Sequence, residues 1–124
     1  MLEVMLMNYR DQFKKGTVEM MVLALLMEED MYGYQLSQLI YERSGKAIAV
    51  PEGSLYPTLY RLVEQGCISD KKVQIGKRMT RVYYHLELTG LLRLREMYAE
   101  YQTFTDGLHS LMSGFAQSME EKIS

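Results

Sequence analysis

The sequence predicts a mainly α fold with one small β-hairpin and a long final helix, and three observations predict it. Apolar residues recur at helical spacing in four segments between residues 2 and 65. The period then drops to two on either side of Gly76-Lys77-Arg78. Finally, Leu94, Met97, Tyr101, Phe104, Leu108, Leu111 and Phe115 alternate spacings of three and four over three heptads, which is the seam of a coiled coil.

Composition fits one globular domain. At 124 residues, 48% apolar and 24% charged, the chain can bury a core and is not a disordered composition. No apolar run approaches the roughly 18 residues of a membrane span, so a soluble protein is expected, with no membrane partner. Residues 1–7 are apolar but include Glu3 and lack a basic leader, so they do not read as a secretory signal. Cys67 has no second cysteine to pair with, which points to a reducing cytoplasm and a buried structural thiol.

Taken in order, Leu2, Leu6, Tyr9 and Phe13 lie on one stripe, so residues 1–14 form either an amphipathic helix or a frayed terminus. Lys14-Lys15-Gly16 breaks that pattern, and Thr17 is an N-cap candidate for an almost wholly apolar helix over 18–29. Residues 31–34, MYGY, read as a turn in which Gly33 can cap a helix over 35–43 that ends at Ser44-Gly45. Residues 46–50 lean towards β and could add a third strand. In residues 53–68, Leu55, Leu59, Leu62 and Val63 make one apolar stripe, while Ser54, Thr58, Arg61 and Gln65 make a polar one. A helix starting near Gly53 or Ser54 places Pro57 in or beside its first turn, where a missing N–H costs little. The polar face has the side-chain types that meet phosphates and base edges, and it is equally the face of an ordinary solvated helix.

Gly66 stops this helix, and residues 68–75 and 80–86 form the hairpin. Between Asp70 and Arg81 stand five cations against one anion, whereas Glu87 to the C-terminus holds six acids and three bases. The net charge of −2 therefore hides a basic hairpin and an acidic tail. The final helix is expected over 88–119, roughly 45 Å long, which is more stripe than so small a domain can cover without a second chain. Gly107 and Gly114 either permit close approach there or weaken the helix, and a helical hairpin breaking near Asp106-Gly107 is the alternative. The order of three helices and a hairpin is that of a winged helix-turn-helix in residues 1–86, followed by a dimerisation helix in 87–124.

No nucleophile constellation, metal-ligand spacing or phosphate loop is present, so no enzyme activity, cofactor or metal is expected; His85 and His109 read as structural or surface residues. Four ordered pieces, KGTVEMMVLALL, YGYQL, EGSLYPTLYRLVEQGCI and RVYYHLELTG, resemble the PadR family of bacterial transcriptional regulators, in its compact branch with a single C-terminal dimerisation helix. The resemblance implies a homodimeric repressor of double-stranded DNA. It implies that Tyr34 and Gln35 approach phosphates, that Ser54, Tyr56, Pro57, Thr58 and Arg61 belong to the recognition helix, and that Lys77, Arg78 and Arg81 belong to the wing. Several such proteins bind small aromatic or planar compounds at the dimer interface, and eleven Met with ten Tyr would suit such a pocket, though core filling uses the same residues. Two departures stand out: Val50-Pro51 and Glu87 replace the usual hydroxyl caps of the recognition and final helices. A twofold dimer would read a palindromic operator through successive major grooves. The alternative is a winged-helix dimer that serves as a protein-interaction module without an operator.

Overall fold

The computed structural model describes residues 8–124. Its elements run α1 (Tyr9–Lys14), α2 (Val18–Glu28), β1 (Met31–Tyr32), α3 (Gly33–Arg43), α4 (Glu52–Glu64), β2 (Ile68–Gln74), β3 (Thr80–Leu86), α5 (Leu88–Met112) and α6 (Phe115–Ile123). They fall into two units, one reaching Leu94 and one running from Arg95 to Ser124. Among the described residues no helix is long and apolar enough to cross a membrane.

In the first unit the core is drawn from every long element. Val22, Leu23, Leu25 and Leu26 of α2 meet Leu36 and Ile40 of α3, Leu55, Leu59 and Leu62 of α4, and Met31, Ile68 and Tyr84 of the sheet, with Leu94 closing one side. No charged or polar residue is buried among them. Cys67 is wholly buried and free. Of the expected first helix, Tyr9 and Phe13 lie on α1 and are exposed, while Leu2 and Leu6 lie outside the described residues.

The sheet has the order β1-β3-β2, all antiparallel, with Ile68 opposite Leu86 and Gln74 opposite Thr80. The hairpin therefore matches its sequence pattern, but the third strand is Met31–Tyr32 rather than residues 46–50. That segment spends its backbone groups on a turn instead: Lys46 has a φ of 66°, Ala47 N–H reaches the Ser44 carbonyl, and Ile48 N–H reaches the Ser44 hydroxyl. Ser37 then pins it by donating to the Val50 carbonyl at 2.6 Å.

The caps also differ from expectation. Thr17 has helical φ and ψ, so its side chain cannot turn back to the first helical N–H groups; its hydroxyl donates to the Lys14 carbonyl. Helix α3 starts at Gly33 itself, with extended Tyr32 as its cap residue. Helix α4 starts at Glu52 with Pro51 as an N-cap that offers no side-chain bond, and Pro57 consequently lies inside the helix. An absent cap costs about 1 kcal/mol and an interior proline about 3. Three wholly buried leucines at about 1.5–3 kcal/mol each outweigh both.

Helix α5 begins directly after Glu87, whose carboxylate accepts from the Ser69 hydroxyl at 2.7 Å and whose N–H donates to the Cys67 carbonyl at 3.0 Å. The expected continuous helix to Met119 is instead interrupted at Ser113-Gly114, where Gly114 takes a left-handed φ of 78° before α6. Gly107 stays helical, so the break is not at Asp106-Gly107 either.

Candidate nucleic-acid interface

The burial of Leu55, Leu59 and Leu62 fixes which face of α4 looks outward. At 100° per residue, that face carries Gly53, Ser54, Pro57, Tyr60, Arg61 and Glu64, all exposed, with Tyr56 and Thr58 half-buried at its edges. Because Pro57 has no N–H, the carbonyl of Gly53, four residues earlier, loses its helical donor on this same face. Gly53 adds no bulk there, and a Cβ on it would meet nothing within 4 Å. That face thus combines a bare glycine and a proline with one exposed hydroxyl, one phenol and one guanidinium.

Lys77 and Arg78 sit at the exposed tip of the β2–β3 hairpin, closed by Ile75 N–H donating to the Met79 carbonyl at 2.7 Å. Lys71 and Lys72 are exposed along β2, an edge strand on which charge also discourages strand addition. Arg81 is placed differently from the tip. Its guanidinium lies 4.4 Å over the ring of Tyr32, which itself meets Tyr83 edge-on at 5.4 Å.

Between α4 and the sheet runs a cleft of about 390 Å³, walled by Tyr32, Tyr56, Tyr60, Tyr84, Asp70 and Arg81. The Tyr56 phenol donates to the Glu52 carboxylate at 2.6 Å, and that bond pushes its pKa up to about 12. Burial raises the pKa of Tyr84 on the opposite wall. Tyr56 also stacks on Tyr60 at 5.8 Å, and its ring lies so near Gly33 that a Cβ there would come within 3.1 Å of the phenol oxygen. Tyr56 therefore ties α4 to the start of α3. Tyr34 is exposed and lines a smaller cleft with Ser37, Gln38 and Pro51, while Gln35 is half-buried.

Sequence reasoning thus names Tyr56 and Arg81, which the fold brings to one cleft, and Lys77 with Arg78, which it brings to one tip. The fold sets Arg61, on the outward face of α4, 3.9 Å from Glu19. Sequence reasoning misses Tyr60, although the i, i+4 step from Tyr56 could have found it. Tyr32 and Asp70 were not accessible to such reasoning, since only the β1-β3-β2 order brings them together.

In the second unit, Tyr101, Phe104, Leu108 and Leu111 of α5 and Phe115 of α6 are exposed, and Tyr98 stacks on Tyr101 at 6.4 Å. Met97 is half-buried, whereas Leu94 belongs to the core of the first unit. His85 has a partner that no local spacing announces, since its Nδ1 lies 2.7 Å from Asp30 at the exposed rim of the sheet. Among the described residues no group of three or more His, Cys, Asp or Glu could hold a metal ion.

Comparison with known proteins adds to this geometry. Residues 22–96, more than half of the chain, match the model of a family described as the transcriptional regulator PadR-like family. A PadR family transcriptional regulator from Eggerthella lenta is 31% identical, with a TM-score of 0.74, over 83% of this chain and 88% of that one. A PadR-like transcriptional regulator from Bacillus cereus is 29% identical, with a TM-score of 0.71, over 83% and 98%. The PadR of Bacillus subtilis, solved in complex with operator DNA, shares the fold at a TM-score of 0.61 and 22% identity, over 64% of this chain and 46% of its own.

Proposed function

The chain belongs to the PadR-like family of transcriptional regulators, and from that premise we propose that it is a sequence-specific, dimeric DNA-binding repressor. The observation that carries the reading is the pairing of two surfaces in one unit: the outward face of α4, with Ser54, Pro57, Thr58 and Arg61, and the cationic hairpin tip at Lys77 and Arg78. The first has the hydrogen-bonding groups and the bare backbone that a major groove admits. The second neutralises phosphate and makes binding salt-sensitive. Tyr34 and Gln35, at the start of α3, meet the backbone beside the groove. Tyr56 and Arg81 act one step back, since the phenol is engaged by Glu52 and the guanidinium rests on Tyr32. The complex of the Bacillus subtilis relative with operator DNA supports the same use of the fold.

Residues 1–86 read DNA in this account and 87–124 dimerise. The exposed stripe of Tyr101, Phe104, Leu108 and Leu111 on α5, with exposed Phe115 on α6, supports the second role, because so many exposed apolar side chains on a small protein call for a partner. A twofold dimer would set two α4 helices in successive major grooves about 34 Å apart and repress by occluding a promoter, in the cytoplasm where that DNA lies. A small aromatic or planar effector held at the dimer interface, where Tyr98 and Tyr101 already stack, would release DNA by favouring a different arrangement of the two protomers.

The experiment is a mobility-shift titration against the DNA upstream of the protein's own gene. Arg61→Ala should alter sequence preference, and Lys77→Ala should weaken binding to all sequences alike. Equal binding by wild type and both variants would sink the reading and leave the protein-interaction module in its place.

A further inference from the structure

One half-buried carboxylate serves two arginines from different helices. Glu19 of α2 keeps 19% of its side chain exposed, and its Oε1 lies 3.4 Å from Nη1 of Arg93 and 3.9 Å from Nη2 of Arg61. Arg93 stands on the first turns of α5 and donates from the same Nη1 to Gln65 at the end of α4. It therefore has two acceptors and is the firmly held partner. Arg61 has one acceptor at the limit of ion pairing and half of its side chain in solvent.

We propose that Glu19 is a positioning residue that sets how much of the Arg61 charge is offered to DNA, with Arg93 as the competitor for its carboxylate. This rests on the DNA-binding reading. Arg93 repels Arg61 while Glu19 attracts it, so the net hold on Arg61 falls when Arg93 is close to the carboxylate and rises when Arg93 withdraws. The pair with Arg61 is loose enough to yield to DNA, and Arg93 keeps the carboxylate compensated when it does. A shift of Arg93 away from Glu19 would draw Arg61 inward and weaken DNA binding, which links the root of the long helix to the face of α4.

The two neighbours predict opposite signs. Glu19→Gln should tighten binding of the full chain to its DNA site by about two- to five-fold, the range for a half-exposed ion pair, and leave its affinity for a scrambled duplex nearly unchanged, because Arg61 serves sequence preference. Arg93→Gln should weaken binding by a similar factor. In an Arg61→Gln background both effects should vanish. A gain confined to the DNA site is the readout that a purely structural role for Glu19 would not give, and Arg93→Gln tests the same competition should Glu19→Gln fail to fold. No change on Glu19→Gln, or the same gain without Arg61, would overturn the proposal while leaving the DNA reading intact. Absence of DNA binding by the wild type would overturn both.

Discussion

Replacing Gly90 by alanine should destabilise the first unit although the site is helical. Ordinarily the change would help, since alanine is favoured over glycine in a helix by about 1 kcal/mol. Here a Cβ on Gly90 would stand 2.2 Å from the carbonyl oxygen of Cys67, 2.7 Å from Leu86 Cδ1 and 3.0 Å from the Cys67 carbonyl carbon. The obstacle is backbone. Cys67 cannot retreat freely, because its oxygen accepts the Glu87 N–H at 3.0 Å and its own N–H donates to the Leu62 carbonyl at 2.9 Å. Relieving the contact means moving the start of α5 off the end of α4, an overpacking cost of about 3 kcal/mol. Against the helical gain, the net loss is about 2 kcal/mol, which for a domain of this size lowers Tm by roughly 8–16 °C. Urea melts followed by circular dichroism would measure it. Gly53→Ala is the internal control: the position is helical and open, so stability should hold or rise by up to about 1 kcal/mol. A Gly90→Ala protein as stable as wild type would refute the reasoning that this glycine exists for close approach.

Further outcomes follow from the same geometry. Leu108→Glu should lower the dimer fraction at micromolar concentration in light scattering, and a monomeric wild type would remove the need for a partner on that stripe. Lys77→Ala and Arg78→Ala should each reduce the salt slope of DNA binding by about 0.9 if each meets one phosphate. Tyr56→Phe, which leaves the ring over Gly33 but deletes the bond to Glu52, should cost about 1 kcal/mol of stability in a denaturant titration. For His85, the hydrogen bond to Asp30 raises the folded-state pKa above its unfolded value. The stabilisation is therefore fully present below about pH 6.5 and lost as pH rises through the folded value. Wild type should exceed Asp30→Asn in urea midpoint near pH 5.5 and match it near pH 8.5, and a difference independent of pH would contradict the pairing.

The legible parts of the fold were those written in periodic patterns. Residues 80–86 of the hairpin and the inward leucines of α4 came directly from periods of two and 3.6, because burial on one face is what both the pattern and the packing express. What failed to show was set by partners distant in sequence. Met31–Tyr32 has no period, and becomes a strand only because β3 lies beside it. Thr17 holds the expected N-cap position of α2, but its φ and ψ deny its side chain a capping bond, and at α3 the cap falls on Tyr32 rather than Gly33. The break at Gly114 interrupts a heptad pattern that continues across it, since glycine in a left-handed turn leaves the spacing of apolar residues untouched.

The candidate interface divides in the same way. Lys77 and Arg78 are legible because a hairpin tip is exposed wherever the hairpin goes. Arg81 and Tyr56 carry the right chemistry, but Tyr32 and Glu52 determine where their charge and hydroxyl point. The pairing of Arg61 with Glu19 spans helices whose packing no local spacing encodes.

The most direct test of the account is a pair of anisotropy titrations at one fixed salt concentration. The full chain would be titrated against the DNA site enriched from a random pool, and against a scrambled duplex of the same composition. The account predicts a twofold-symmetric site with half-sites about one helical turn apart, bound about a thousand-fold or more tighter than the scrambled duplex. Equal affinity for the two duplexes, or no enriched sequence at all, would contradict it.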